Sequence, residues 1–159
     1  MEGNHHSLSV RDASALEKAL LEFRDKFGFT DVHYTGGEPS IHPQVVDYVR
    51  IAKQLGFTVK MTTNAQTSIK RYQELVTAGL SEINISIHTL DGGVLANLMS
   101  PPRSTKWGNQ AIAKQIAVIN AVKHLSSVKV NTVAGADVAT VMTIRRVFVQ
   151  GENDPTVQT

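Results

Sequence analysis

The chain has 159 residues, 42% of them hydrophobic, with 16 basic and 14 acidic residues giving a formal net charge of +2, enough for one domain with a core and too balanced to argue for a nucleic-acid or acidic-membrane partner. It contains no cysteine, which excludes disulfides, zinc thiolates and any iron–sulfur cluster held by its own thiolates. No apolar run reaches the roughly 18 residues of a membrane span, and the N-terminus lacks the basic-then-apolar order of a secretory signal, so a cytoplasmic location is expected.

In chain order, Ser9 followed by Asp12 forms a capping-box-like start, and Val10, Ala13, Leu16, Leu20, Phe23 and Phe27 recur at three- and four-residue spacing up to Gly28. This pattern predicts an amphipathic helix with a glycine stop. A short strand follows around Val32 and Tyr34, alternating with His33 and Thr35, and it runs into Gly36-Gly37-Glu38-Pro39. The two glycines allow backbone conformations that a Cβ would forbid, and Pro39 stiffens the chain beyond Glu38. A second helix is expected to open at Pro43, with Val45, Val49 and Ala52 on one face, and to end at Gly56.

Phe57, Val59 and Met61 alternate with polar residues in a second strand that runs out into Thr62-Thr63-Asn64. Ser68 opens a third helix carrying Ile69, Tyr72, Leu75 and Val76, and Gly79 stops it. The clearest strand spans residues 82–88, where Ile83, Ile85 and Ile87 alternate with Asn84, Ser86 and His88, so the two sets point to opposite faces. A long connection through Pro101-Pro102-Arg103 leads to a helix with Ile112, Ile116, Ile119 and Val122, and then to a strand over residues 128–133 with Asn131 in its middle. Residues 138–149 fit a short helix and a β-branched strand equally well, and the tail over 151–159 is expected to be flexible, leaving 1–150 as the domain.

The first three strands start about 25 residues apart, the period of a βα unit, which predicts an α/β fold with a parallel sheet. Polar residues facing inward favour a sheet curled around a cavity, because a flat doubly wound sheet would bury them against helices. Glu38, Thr63, Asn64, Ser86, His88 and Asn131 then fall together at the carboxyl ends of the strands, where such folds bind ligands. Each residue alone also has an ordinary reading as a turn, a helix cap or a hydrogen-bonded core group. Together they suit a ligand bearing an amine, a carboxylate, a ribose and a base. Hydrolase elbows, His-Glu-x-x-His and a phosphate loop are all absent from the sequence.

Four stretches, Tyr34-Thr35-Gly36-Gly37-Glu38-Pro39, Met61-Thr62-Thr63-Asn64, Ala78-Gly79-Leu80 into residues 83–90, and Val130-Asn131-Thr132-Val133, resemble successive strands of radical S-adenosylmethionine enzymes. The likeness is nearest to the subgroup that resembles the molybdenum-cofactor cyclisation enzyme. It implies a partial (βα)6 TIM-like barrel in which Gly36, Gly37 and Glu38, stiffened by Pro39, bind the amino group of S-adenosylmethionine. Thr63, Asn64, Ser86 and Asn131 would lie near the methionine carboxylate or the ribose. Arg103 would assist at the carboxylate, and His88 occupies a position that is often acidic in the subgroup.

The same resemblance exposes a departure. The family holds a four-iron four-sulfur cluster through a Cys-x-x-x-Cys-x-x-Cys loop after the first strand, and no such loop stands here. The chain is therefore expected to begin downstream of that loop, to lack the first strand, and to stop short of the last. A cluster would need ligands from a further N-terminal segment or a partner, since His5 and His6 cannot replace three thiolates and no metal site is assigned. The expected function is a piece of a radical S-adenosylmethionine enzyme, inactive alone, acting in the full-length family on a small-molecule or peptide substrate, with a partner chain completing the barrel. The alternatives are a non-catalytic module binding S-adenosylmethionine, a nucleoside or a partner, and a βα domain whose Gly-Gly-Glu-Pro turn is coincidental.

Overall fold

The computed structural model describes residues 12–132. Helix α1 (Ala13–Phe27) leads to strand β1 (Asp31–Tyr34), a 3₁₀ turn (Pro39–Ile41) and α2 (Val45–Gln54), followed by β2 (Thr58–Thr63), α3 (Ile69–Ala78) and β3 (Leu80–Ser86). Two consecutive helices, α4 (Gly92–Leu98) and α5 (Thr105–Val122), precede β4 (Ser127–Asn131). The four strands form one sheet in the order β1-β2-β3-β4, every neighbouring pair parallel.

The sheet has one apolar face and one polar face. Val59 and Met61 of β2 and Ile83 and Ile85 of β3, with Ile87 just beyond, are buried against Val45, Val49 and Ala52 of α2, Tyr72 and Leu75 of α3, and Val118 and Val122 of α5. Leu16 and Leu20 of α1 complete this core. The alternate residues His33, Lys60, Thr62, Glu82, Asn84 and Lys129 point the other way, as the period of two requires. A parallel sheet in sequential strand order, with the helices of its core on one face, is an arc of a partial TIM-like barrel rather than a doubly wound sheet.

The amino-end half of the polar face carries a row of alternating charges. Lys60 Nζ lies 2.8 Å from Asp31 Oδ1, and Lys129 Nζ lies 2.6 Å from Glu82 Oε2. Lys60 and Glu82 are register partners between the two pairs. Hydrogen bonds from the lysines hold the Asp31 and Glu82 carboxyls below the ordinary carboxylate range, and the bond to Asp31 raises Lys60.

Several boundaries differ from the expectations. The N-cap of α1 is Asp12, whose carboxylate accepts from Ala15 N at 2.7 Å, while Ser9 lies outside the described residues. Helix α2 starts at Val45 rather than Pro43, because His42 and Pro43 still belong to the turn after Pro39 and His42 Nδ1 accepts from Gln44 N at 3.3 Å. β3 runs over Leu80–Ser86, two residues earlier than expected. The connection before Ile112 is not a loop: it holds α4, capped by Asp91, and the first two turns of α5, capped by Ser104. Residues 138–149 and the tail lie outside the described residues.

Candidate ligand-binding site at the strand ends

The turn after β1 is built around one carboxylate. Gly36 and Gly37 have φ of +85° and +45°, a left-handed backbone in which a side chain would be strained. They turn the chain so that Glu38 becomes the N-cap of the 3₁₀ turn, with Pro39 at its first position. Glu38 Oε1 accepts from Ser40 N at 3.1 Å, from Ser40 Oγ at 2.6 Å and from Thr63 Oγ1 at 2.6 Å. Glu38 Oε2 accepts from Asn64 N at 2.6 Å. The carboxylate thereby ties the end of β1 to the end of β2.

These bonds settle what each group has left to give. Four donors pointing at the two oxygens is the pattern of an acceptor-only carboxylate with capacity for about four bonds, and Oε2 has used one. None of the described Lys or Arg side chains forms an ion pair with Glu38. The site thus offers a held, half-exposed carboxylate with an acceptor position on Oε2 and no cation supplied by the described chain. Thr63 is 2% exposed and its single hydroxyl proton goes to Glu38, so it serves the site from behind.

Of the other expected residues, Asn64, Ser86 and Asn131 lie at the carboxyl ends of their strands. Asn64 Oδ1 accepts from Gln66 N at 2.9 Å, closing the turn after β2. Ser86 and Asn131 are register partners at the ends of β3 and β4, and Asn131 O accepts from Ile87 N at 3.0 Å. Half-buried His88 follows two residues beyond Ser86. Arg103 is exposed in the turn between α4 and α5, where its backbone N donates to Ala96 O at 2.9 Å. No hydrogen bond of the described residues joins its side chain to Glu38.

Three participants were not singled out from the sequence: Ser40, Tyr72 and Gln115. Gln115, 6% exposed on α5, donates through Nε2 to Asn64 O and Ser86 O at 3.0 Å each, linking the two halves of the rim. Ser40 had a local signal, because a serine two residues after a carboxylate at a turn can cap it. Tyr72 and Gln115 had none, since their partners lie far away in sequence.

An iron–sulfur cluster does not fit this donor set. The sequence has no cysteine, and among the described residues no group of three His, Cys, Asp or Glu side chains is placed to hold a metal ion. No helix among the described residues is long and apolar enough to cross a membrane.

A family model described as the Radical SAM superfamily matches residues 3–157. A protein of Saccharolobus solfataricus named probable GTP 3′,8-cyclase is 40% identical over 90 residues, covering 56% of this chain and 28% of the relative. One of the same name from Thermococcus kodakarensis is 30% identical over 112 residues, covering 70% and 34% respectively. The chain therefore spans about a third or less of the length of the curated relatives it matches. Among solved structures, Streptococcus suis SuiB bound to S-adenosylmethionine aligns with a TM-score of 0.72 and 19% identity, over 92% of this chain and 33% of the other, a likeness of fold.

Proposed function

This chain belongs to the radical S-adenosylmethionine superfamily, and from that premise we propose that its strand-end rim binds S-adenosylmethionine through the methionine ammonium on Glu38. The observation that carries the reading is the Glu38 carboxylate, gripped by four donors, with an acceptor position left on Oε2 and, among the described residues, no lysine or arginine paired to it. A primary ammonium supplies the charge and the donors that such a group lacks. The carbonyl edges of Gly36 and Gly37 would share the ammonium, and Pro39 keeps the turn in place. Asn64, Ser86 and Asn131 would face the methionine carboxylate and the ribose. Arg103 and His88 would approach from the loops after β3.

The bound ligand is, in this superfamily, the source of 5′-deoxyadenosyl radical chemistry. The residues of this chain bind and orient it, and they provide no thiolate for the cluster that drives that chemistry. Cluster ligands would come from residues outside this sequence. The relatives' names point to GTP as the small molecule acted on by the whole protein.

Calorimetric titration with S-adenosylmethionine tests the reading. Saturable binding that Glu38→Gln weakens about tenfold or more is expected, the loss of a charge-assisted pair. Absence of binding by the unaltered protein overturns it.

A second reading, a module that docks a partner chain completing the barrel, is favoured by one feature. β1 pairs only with β2 among the described residues, and beside it Phe27 and Phe29 are 61% and 53% exposed, stacked at 5.8 Å between ring centroids. Unpaired strand edges and exposed aromatic clusters are where another chain adds. Light scattering that finds a monomer at all concentrations removes the self-association form of this reading.

A further inference from the structure

We infer that Tyr72, on α3 and out of reach of any ligand on the rim, is a positioning residue that aims the Glu38 carboxylate. The inference rests on the proposed use of Glu38 as the ammonium site. Tyr72 is fully buried, and its hydroxyl lies 2.7 Å from Thr63 Oγ1 and 3.1 Å from Ser40 Oγ. Those two hydroxyls are the side chains that donate to Glu38 Oε1.

Proton counting gives the network a direction. Ser40 and Thr63 each own one hydroxyl proton, and each gives it to Glu38, so both oxygens are acceptors toward everything else. The single phenol proton of Tyr72 must therefore be donated to one of them or shared between the two. The outer donors are completed by Ala65 N to Thr63 Oγ1 at 3.1 Å and Thr67 Oγ1 to Ser40 Oγ at 3.0 Å. Every hydroxyl in the set donates toward the carboxylate, and Tyr72 is the member anchored in the helix layer. Removing its oxygen leaves a hole behind Thr63 and Ser40 and frees both to rotate away from Glu38. A buried hydroxyl network that is wholly satisfied holds its members in one geometry, and a partly satisfied one does not.

This differs from a purely packing role in which ligands should feel it. Tyr72→Phe should weaken S-adenosylmethionine about tenfold, the scale of one hydrogen bond in a charged network. It should leave 5′-methylthioadenosine, which has the adenosine half and no ammonium, unchanged. The unliganded protein provides a second readout. Asn64 is exposed, so protection of its amide from hydrogen exchange depends on the bond to Glu38 Oε2, and Tyr72→Phe should lower that protection about threefold or more.

Equal weakening of both ligands would show general damage and overturn the inference. Unchanged S-adenosylmethionine affinity in Tyr72→Phe, with loss in Glu38→Gln, would overturn it while leaving the proposed function standing. If the unaltered protein binds neither ligand, the proposed function fails, and the Asn64 exchange rate alone decides whether Tyr72 holds Glu38: faster exchange supports it and an unchanged rate ends it.

Discussion

The side-chain amide of Gln115 donates to the carbonyl oxygen of Ser86 at 3.0 Å, and the same nitrogen lies 3.0 Å from Asn64 O. An α5 side chain thus reaches past the helix layer to hold the ends of β2 and β3 at one separation. Both carbonyls lie just beyond Thr63 and Ile85, the last register pair between β2 and β3, so a side chain takes over the work of the sheet between these two strands.

Gln115→Leu should therefore cost more than its small change in volume suggests. It leaves two carbonyls short of a donor in a mostly buried place, a loss of about 1–3 kcal/mol. Gln115→Glu should be worse, because a carboxylate would face the same two oxygens with nothing to donate. Urea denaturation of the two variants checks the order. The S-adenosylmethionine affinity of Gln115→Leu should fall as well, since Asn64 and Ser86 would lose their spacing.

The charge row on the polar face predicts an acid-side instability. Hydrogen bonds from Lys129 and Lys60 hold the Glu82 and Asp31 carboxyls low, so between the ordinary and the lowered values the unfolded chain binds more protons than the folded one. Their stabilisation is complete above about pH 4.5 and is lost as pH falls through the lowered values. Lys60 works in the opposite direction: its raised value gives a contribution that is complete below the ordinary lysine range and lost as pH rises through the raised one. The Glu82 side chain is 17% exposed and the Asp31 side chain 50%, so Glu82 should dominate. Melting temperature followed from pH 7 to pH 3 should drop less steeply in Glu82→Gln than in the unaltered protein. Parallel curves would show that this pair does not couple to folding.

The helical hairpin after β3 depends on two glycines. A Cβ on Gly108 would run into the backbone carbonyl of Gly92, and one on Gly92 would strike Asn109. Helices α4 and α5 approach closely there only because neither position has a side chain. Gly108→Ala should lower stability by about 1–3 kcal/mol despite the better helix propensity of alanine, the cost of overpacking against backbone that cannot rotate away. Thermal denaturation decides the sign: a stabilised variant would mean that the hairpin opens easily.

Those glycines also explain what could not be read from the sequence. Ile83, Ile85 and Ile87 alternate with Asn84, Ser86 and His88 strongly enough to give the strand and both of its faces, and Gly36-Gly37-Glu38-Pro39 gives the turn and its carboxylate. Gly92 stands in the stretch that reads as a connection, however, because a glycine used for close packing and one used for a turn are the same letter. Helix α4 therefore passed as part of a connection. Tyr72 falls on the apolar stripe of α3 and reads as core, and only its tertiary neighbours show that its hydroxyl has two partners. Gln115 is likewise a polar residue within an apolar stripe, explained by carbonyls 51 and 29 residues away. The sheet face was legible because it is periodic; the second layer of the site was not, because it is assembled from far-apart segments.

Arg71 offers a test of how firmly that layer is held. Its Nε donates to Ser40 O at 3.3 Å, and its Nη2 donates to His42 O at 2.7 Å and Pro43 O at 3.0 Å. One planar guanidinium thus gathers three carbonyls of the segment that follows Glu38. Lysine keeps the charge but has no fork, so Arg71→Lys should satisfy at most part of this set and lose about 1–2 kcal/mol of stability. The effect should not stop at stability. Ser40 supplies both a backbone and a side-chain donor to Glu38 Oε1, so a loosened 40–43 segment should exchange the Ser40 amide faster and bind S-adenosylmethionine more weakly. Hydrogen exchange on Arg71→Lys, read at Ser40 and at a distant core amide such as Ile85, separates the two possibilities. Faster exchange at Ser40 beyond the change at Ile85 would establish the clamp, whereas equal changes would reduce Arg71 to a general contributor to folding.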